Sequence, residues 1–324
     1  MRHIPALGDC DQVKITGPVH TSPYTRLFLG QLPLRAEKIL IKCCYQTNSD
    51  VPDVAYAQLL FDSLVDLNKA RGSETEFNLI QPFHLFRDRG IIVQSWIEGQ
   101  SLARAFADMA LPIQRQRELL SEAGKWLGHF HRFGRTAERT RVRPELFDDV
   151  ERDAGALGKS GRRLVTVIRR LRASRAFDGS LQQSTAQLHC DFKPSNLIAT
   201  ETGIFAIDFH RSNPASVYFD IAHLLNSMEL DIIKARRPLL FLRTSLLKKD
   251  FLSAYSKIGG HVDPLILAIY QIYDLARYMT QHGEAETSNL RGTFRRIVLE
   301  RLLRSRLAQF HALERRHGAA PGPV

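Results

Sequence analysis

Two stretches hold side chains that do chemistry: Leu188-His-Cys-Asp-Phe-Lys-Pro-Ser-Asn-Leu-Ile and Ile204-Phe-Ala-Ile-Asp-Phe-His. Asp191 stands two residues after His189, and Asn196 follows Asp191 by five. Leu197-Ile198 opens a short apolar run, and Thr200-Glu-Thr-Gly separates it from a second run ending at Asp208. Two such runs about a glycine-bearing turn predict a β-hairpin. A hairpin of this length sets Asn196, at the start of one strand, beside Asp208, at the end of the other. An amide oxygen and a carboxylate so placed are hard ligands suited to Mg²⁺ carrying nucleotide phosphates. Asp191, at the loop entry, is placed to accept a proton from an attacking hydroxyl. Lys193 adds a positive charge near the transferred group. Base, metal ligands and cation are the parts of phosphoryl transfer, where catalysis is mostly positioning and charge neutralisation.

These residues need elements to hold them. Val13–Cys44 reads as strands: Val13-Lys-Ile-Thr, a turn cluster at His20-Thr-Ser-Pro-Tyr, apolar Thr25–Leu32, and Lys38-Ile-Leu-Ile-Lys-Cys-Cys. Leu59, Leu60, Leu64 and Leu67 recur at helical spacing and predict a helix over Asp53–Leu67. Phe83–Phe86 and Gly90–Ile97 read as another strand pair around Arg87-Asp-Arg-Gly. Beyond Gly99 the pattern turns helical: Pro112–Phe133, a basic Arg163–Arg172, and Ile221 to about His317. The expectation is an α+β chain in two lobes, a β-rich one at 1–97 and a larger helical one at 98–317. A flexible tail is expected at 318–324.

The composition, 44% hydrophobic and 24% charged over 324 residues, excludes disorder, collagen and coiled coil for the whole chain. The longest apolar stretches, such as Ile266–Tyr273, are far short of the ~20 residues that span a bilayer. The opening residues hold no apolar core of about 7–15 residues, so no signal peptide is expected. Cys10, Cys43, Cys44 and Cys190 have no metal-ligand spacing. A cytoplasmic protein with reduced thiols is expected, with Cys190 packed inward. The net charge of +11 is localised. Arg132–Arg175 has 13 basic and 6 acidic residues, and Arg291–Arg316 has 8 and 2. Such an excess either attracts an anionic partner or is a solvated face. The solvated face is the preferred reading, and no nucleic-acid partner is expected. In the C-terminal helix Phe294, Ile297, Val298, Leu302, Leu303, Leu307 and Phe310 predict one buried face, with arginines such as Arg306 on the other. Peripheral contact with a membrane is therefore the less favoured reading.

The joint pattern resembles the catalytic loop and metal motif of the protein-kinase-like superfamily. It is more similar to the aminoglycoside phosphotransferase and choline kinase branch. Only 11 residues separate Asp208 from Asp220 of Tyr218-Phe-Asp-Ile-Ala, leaving no room for a protein-kinase activation segment. Leu127-Gly-His-Phe-His131 resembles the branch's helix end, and Val93-Gln-Ser-Trp-Ile-Glu-Gly-Gln-Ser-Leu its hinge. The resemblance covers residues 13–280, is strongest over 188–226 and is weak before 90. It implies a protein-kinase-like fold, with ATP and Mg²⁺ as cofactors, nucleotide binding in the lobe at 1–97, and catalysis with acceptor binding in the lobe at 98–317. The implied reaction moves the γ-phosphate to a hydroxyl of a small molecule: a sugar, amino alcohol or antibiotic-like acceptor.

It implies Asp191 as base, Asn196 and Asp208 as Mg²⁺ ligands, and His189 as support of the loop. Asp220 would hold the loop backbone, Lys42 the α- and β-phosphates, and Ser22 or Thr21 further phosphate oxygens. Adenine would meet backbone at Ser95–Ile97. Three departures stand out. Asp-Phe-His replaces Asp-Phe-Gly, Pro18-Val-His-Thr-Ser-Pro-Tyr replaces a glycine-rich loop, and no clear helix glutamate faces Lys42. Asp53, Asp62 or neither fills that place. The alternative is a catalytically inactive scaffold of the same fold that binds an anionic partner.

Overall fold

The computed structural model describes residues 13–31, 38–71, 77–108, 111–155, 158–209, 213–234, 238–282 and 290–318. The chain forms two compact units: Met1–Leu102 with Ser195–Arg211, and Ala103–Pro194 with Ser212–Val324.

The first unit is built on β1 (Lys14–Thr21), β2 (Thr25–Gln31), β3 (Lys38–Cys44), α1 (Val54–Arg71), β4 (Pro82–Phe86) and β5 (Ile91–Ser95). The strands form an antiparallel sheet in the order β1-β2-β3-β5-β4. Side chains alternate along β3 with a period of two. Ile39 therefore packs with Val93 on one face, while Cys44 packs with Ile92, Ala57 and Leu60 on the other. Lys42 pairs in register with Ile92 and shares the Cys44 face, the one that α1 covers.

The expected hairpin is present as β9 (Leu197–Thr200) and β10 (Gly203–Ala206), and β6 (Gln100–Ser101) adds a third strand on β9. This departs from the reading of 98–317 as one lobe. The hairpin groups with the N-terminal strands because β9 pairs with β6 and Asn78 bridges to Phe205. The approach of β6 demands glycine at 99, where a Cβ would lie 2.3 Å from the Ala199 carbonyl oxygen. Gly99→Ala should therefore cost about 1–3 kcal/mol of stability, as overpacking does. Denaturant midpoints measure this, and an unchanged midpoint would mean that the β6–β9 pairing is absent in solution.

The second unit contains α2 (Leu102–Ala107), α3 (Ile113–Phe133), β7 (Arg135–Arg141), α4 (Asp148–Gly155), α5 (Gly158–Arg172) and β8 (Gln182–Ala186). It continues with β11 (Ala215–Ser216), α6 (Tyr218–Lys234), α7 (Pro238–Gly259), α8 (Pro264–His282) and α9 (Leu290–Gly318). Helices α3 and α7 meet closely at Gly124, where a Cβ would lie 2.4 Å from the Phe251 carbonyl oxygen. The core is apolar and aromatic, with Phe130, Phe147, Phe192, Phe251 and Tyr255 buried. The sheet β11-β8-β7 lies outside the sequence reading. The sequence of β7, Arg-Thr-Ala-Glu-Arg-Thr-Arg, has no apolar alternation, and its pairing with β8 holds it.

Helix α9 departs from the expected pattern. Leu299, Leu302, Leu303 and Phe310 are buried, Ile297 is 47% exposed, and Arg306 is buried in an ion pair with Glu229 of α6. The side chain of Phe294, and residues 319–324 of the expected tail, lie outside the described residues. Among the described residues no helix is long and apolar enough to cross a membrane.

Candidate active site

Asp220 anchors the loop that carries the candidate base. It lies in the first turn of α6 and is buried. Its Oδ2 accepts the His189 N–H at 2.7 Å and its Oδ1 the Cys190 N–H at 2.9 Å. His131 Nε2 lies 3.1 Å from Oδ2, and His131 Nδ1 meets the Tyr255 hydroxyl at 3.0 Å. Burial opposes the Asp220 charge, but His131 and the loop donors outweigh it and hold the carboxyl below the usual range. The buried His189 ring accepts the Asp191 N–H on Nδ1 at 3.3 Å and packs edge-on against Trp126 and Phe192. Cys190 is exposed, contrary to the inward packing expected, and its φ of 69° marks a sharp loop turn.

Asp191 is gripped on both oxygens. Oδ1 lies 3.2 Å from His223 Nε2, and Oδ2 lies 2.7 Å from Lys193 Nζ. Burial pushes its pKa up, but the hydrogen bonds from His223 and Lys193 prevail and hold it well below the ordinary carboxylate range. Behind it, His223 Nδ1 lies 2.8 Å from Asp274 Oδ1, and Asp274 Oδ2 accepts the Asn226 amide at 2.9 Å. Burial would lower the His223 pKa, yet the carboxylates of Asp274 and Asp191 raise it to about 10. These groups border a cavity of about 400 Å³, with Phe219, Tyr273 and Arg277 also on its wall. His223, Asp274 and Arg277 were not among the residues expected. A signal existed for Asp274, the lone acid in the apolar run Leu265–Ala276.

In the first unit, Lys42 Nζ and Asp208 Oδ1 form an ion pair at 2.7 Å. Burial works against the Lys42 charge, and Asp208 more than offsets it, so the ammonium pKa is raised. Neither Asp53 nor Asp62 takes the place of the missing glutamate. Asp53 Oδ1 caps α1 by accepting the Tyr56 N–H at 3.0 Å, and Asp62 accepts the Gln58 amide at 2.7 Å. The Ile207 N–H donates to the Asn196 carbonyl at 2.9 Å, one rung beyond the Leu197–Ala206 pair. This sets Asn196 beside the residue preceding Asp208. Asp208 has φ 60°, a left-handed turn that aspartate tolerates better than most residues. His210 lies outside the described residues.

The residues suggested by sequence for nucleotide contact are placed as follows. Ser22 Oγ accepts the N–H groups of Tyr24 and Thr25 at 3.3 and 3.0 Å, so it organises the β1–β2 turn. Ser95 bonds to Gln81 through both its N–H and its hydroxyl. Ile97 lies beyond Ile39–Ser95, the ladder pair that ends β5. Among the described residues no cluster of three or more His, Cys, Asp or Glu side chains could hold a metal. Asn196 and Asp208, the pair expected to hold Mg²⁺, number two, as suits an ion that keeps several waters and takes phosphate oxygens for the rest.

Residues 70–241, more than half of the chain, match the phosphotransferase enzyme family. The chain belongs to that family. No curated protein sequence matches it significantly. Among solved structures, choline kinase LicA from Streptococcus pneumoniae is similar with a TM-score of 0.56 at 16% identity, covering 95% of this chain and 96% of that one. A choline/ethanolamine kinase family protein from Mesorhizobium loti gives 0.54 at 17%, covering 96% and 90%. The ternary complex of APH(2")-IIa with streptomycin and ATP gives 0.55 at 11%, covering 86% and 87%. These likenesses establish a protein-kinase-like fold with a β-rich unit and a larger helical unit.

Proposed function

We propose that the protein transfers the γ-phosphate of ATP to a hydroxyl of a small sugar-type molecule. The observation that carries this reading is Asp191, held ionised by His223 and Lys193 on a loop fixed by Asp220, at the wall of a cavity of about 400 Å³. Family membership and the kinase-like fold support the reaction class. An ATP donor also fits a cytoplasmic enzyme.

In this reading Asp191 takes a hydrogen bond from the acceptor hydroxyl and aligns its oxygen for attack. As the new O–P bond forms and the bond to the ADP oxygen breaks, the hydroxyl proton passes to the Asp191 carboxylate. Lys193 offsets charge near the transferred group, and Lys42 holds donor phosphates. Asn196 and Asp208 would hold Mg²⁺, which neutralises charge on the donor phosphates when bound. Ile97, rather than Ser95, is the better backbone contact for adenine, because the Ser95 N–H already serves the sheet.

The cavity speaks to the acceptor. Its carboxylates are already matched by groups of the chain: Asp191 by His223 and Lys193, Asp274 by His223 and Asn226, Asp220 by His131. Exposed Arg277 makes no ion pair among the described residues. A polycation would find no uncompensated acid here, so a neutral or anionic sugar suits the wall better than an aminoglycoside. ADP release with glucose, glucosamine, a sugar phosphate, ethanolamine and streptomycin tests this, with turnover expected on a sugar and none on streptomycin.

Binding gives a separate check. Mg·ATP at about 100 times its Kd should stabilise the wild type by about 2.7 kcal/mol. Asp208→Ala should abolish the Mg²⁺-dependent part. Absence of any wild-type shift at saturating Mg·ATP would remove the kinase reading.

A further inference from the structure

The chain Asp191–His223–Asp274 is built more fully than holding a loop requires. His223 projects from α6, Asp274 from α8 and Asp191 from the loop, so three separate segments converge on one imidazole. Asp274 is itself oriented by Asn226, whose amide also donates to the Gln271 carbonyl at 2.9 Å. We propose that His223 is a positioning residue for phosphoryl transfer, clamped by Asp274 at Nδ1 and fixing Asp191 Oδ1 through Nε2. This rests on the reading of Asp191 as the base and extends it to the residues that aim it.

Geometry sets the charge of the ring. Both nitrogens face carboxylate oxygens, and a neutral imidazole has one N–H. With one N–H, a lone pair would face one of the carboxylates, so the arrangement requires an imidazolium donating to both. The direction of the His223 pKa agrees. The other charged or titratable groups around it are Lys193 and Cys190 of the loop, Asp220 of its own helix, and Tyr273, Arg277 and Tyr278 of α8. Lys193 serves Asp191, Asp220 serves the loop backbone, and the Tyr273 hydroxyl donates to Asp149 at 2.9 Å. None competes with Asp274 for Nδ1.

Two consequences follow. The ring is fully protonated, so it is not a second base, and a proton arriving on Asp191 is not relayed through it. The carboxylate, tied at Oδ1 by His223 and at Oδ2 by Lys193, is confined to one orientation. Loss of the clamp frees it to turn, and a misplacement of about 1 Å costs on the order of 10²-fold in rate.

The test uses the whole chain, His223→Asn and Asp274→Asn. Asp274→Asn keeps an oxygen for Nδ1 but removes the charge that keeps the ring protonated. Histidine ¹⁵N spectra at pH 8 should show both His223 nitrogens protonated in the wild type and a neutral ring in Asp274→Asn. A neutral wild-type ring at pH 8 would overturn the clamp and leave the kinase reading standing.

ADP release from Mg·ATP, with glucose, glucosamine, a sugar phosphate, ethanolamine or water as acceptor, gives the second readout. Both variants should lose on the order of 10²-fold in kcat, keep KM for ATP, and show an acid limb in kcat moved up toward neutral pH. A change of kcat with an unmoved limb would make His223 structural only and overturn the proposal. No ADP release by the wild type with any acceptor would remove the kinase reading and the positioning role with it, whatever the spectra show.

Discussion

Replacing Asp191 by Asn lowers turnover by about 10²–10⁴-fold, the range of a general-base contribution, while Mg·ATP affinity is retained. The amide is nearly isosteric and still accepts from His223, but it cannot take the hydroxyl proton and leaves Lys193 without its carboxylate. Single-turnover phosphoryl transfer measures the effect, and a full wild-type rate in the variant would remove Asp191 as base. The pH dependence has a definite sign. A carboxylate whose folded pKa is depressed contributes stability that is fully present above its unfolded value of ~3.9. That contribution is lost only as the pH falls through the lower folded value. Asp191 is such a group, so its titration should produce no acid limb in the wild-type rate at or above pH ~4.

Removing the Asp220 carboxylate has the second large effect, and this one is on the fold. Asp220→Ala leaves the His189 and Cys190 N–H groups and the His131 ring without their common acceptor in a buried place. Each buried donor left without its acceptor costs about 1–3 kcal/mol. Chemical denaturation should show a loss of that size, with turnover falling as the loop loses its backbone anchor. Asp220→Asn keeps one acceptor oxygen and should fall between the two. A variant with wild-type stability and no turnover would instead place Asp220 in the chemistry.

His223 adds a stability term of opposite pH sense. Its folded pKa is raised to about 10, so its contribution is complete below the unfolded value of ~6.5. It is lost as the pH climbs through about 10.

Local elements and their side chains were legible without coordinates. Lys42 could be assigned to a strand because Lys38-Ile-Leu-Ile-Lys-Cys-Cys is β-rich throughout. Asn196 and Asp208 could be paired because a hairpin brings its two ends together by turn length alone. Asp220 could be given to a helix start, while its hold on the loop was implied by the family resemblance. The strand, the hairpin and the helix start rest on periodicity or turn chemistry within a few residues, and such preferences act in the chain before any packing exists.

What needed the tertiary structure has partners far apart in the chain. Lys42 meets Asp208 across 166 residues, and neither Asp53 nor Asp62 substitutes for it. His223 sits in an apolar helix, where nothing nearby in the sequence marks it out. Its partners Asp191 and Asp274 are 32 and 51 residues away. Arg306 reads as solvent-facing on the α9 wheel, yet it is buried because Glu229 arrives from α6, 77 residues earlier. Strand β7 has no apolar alternation and exists through its ladder with β8, more than forty residues on. A residue's type states which charge it carries or which bond it needs. Which distant group satisfies that need is decided by packing, because burying a charge is tolerated only where a partner of opposite sign is brought to it.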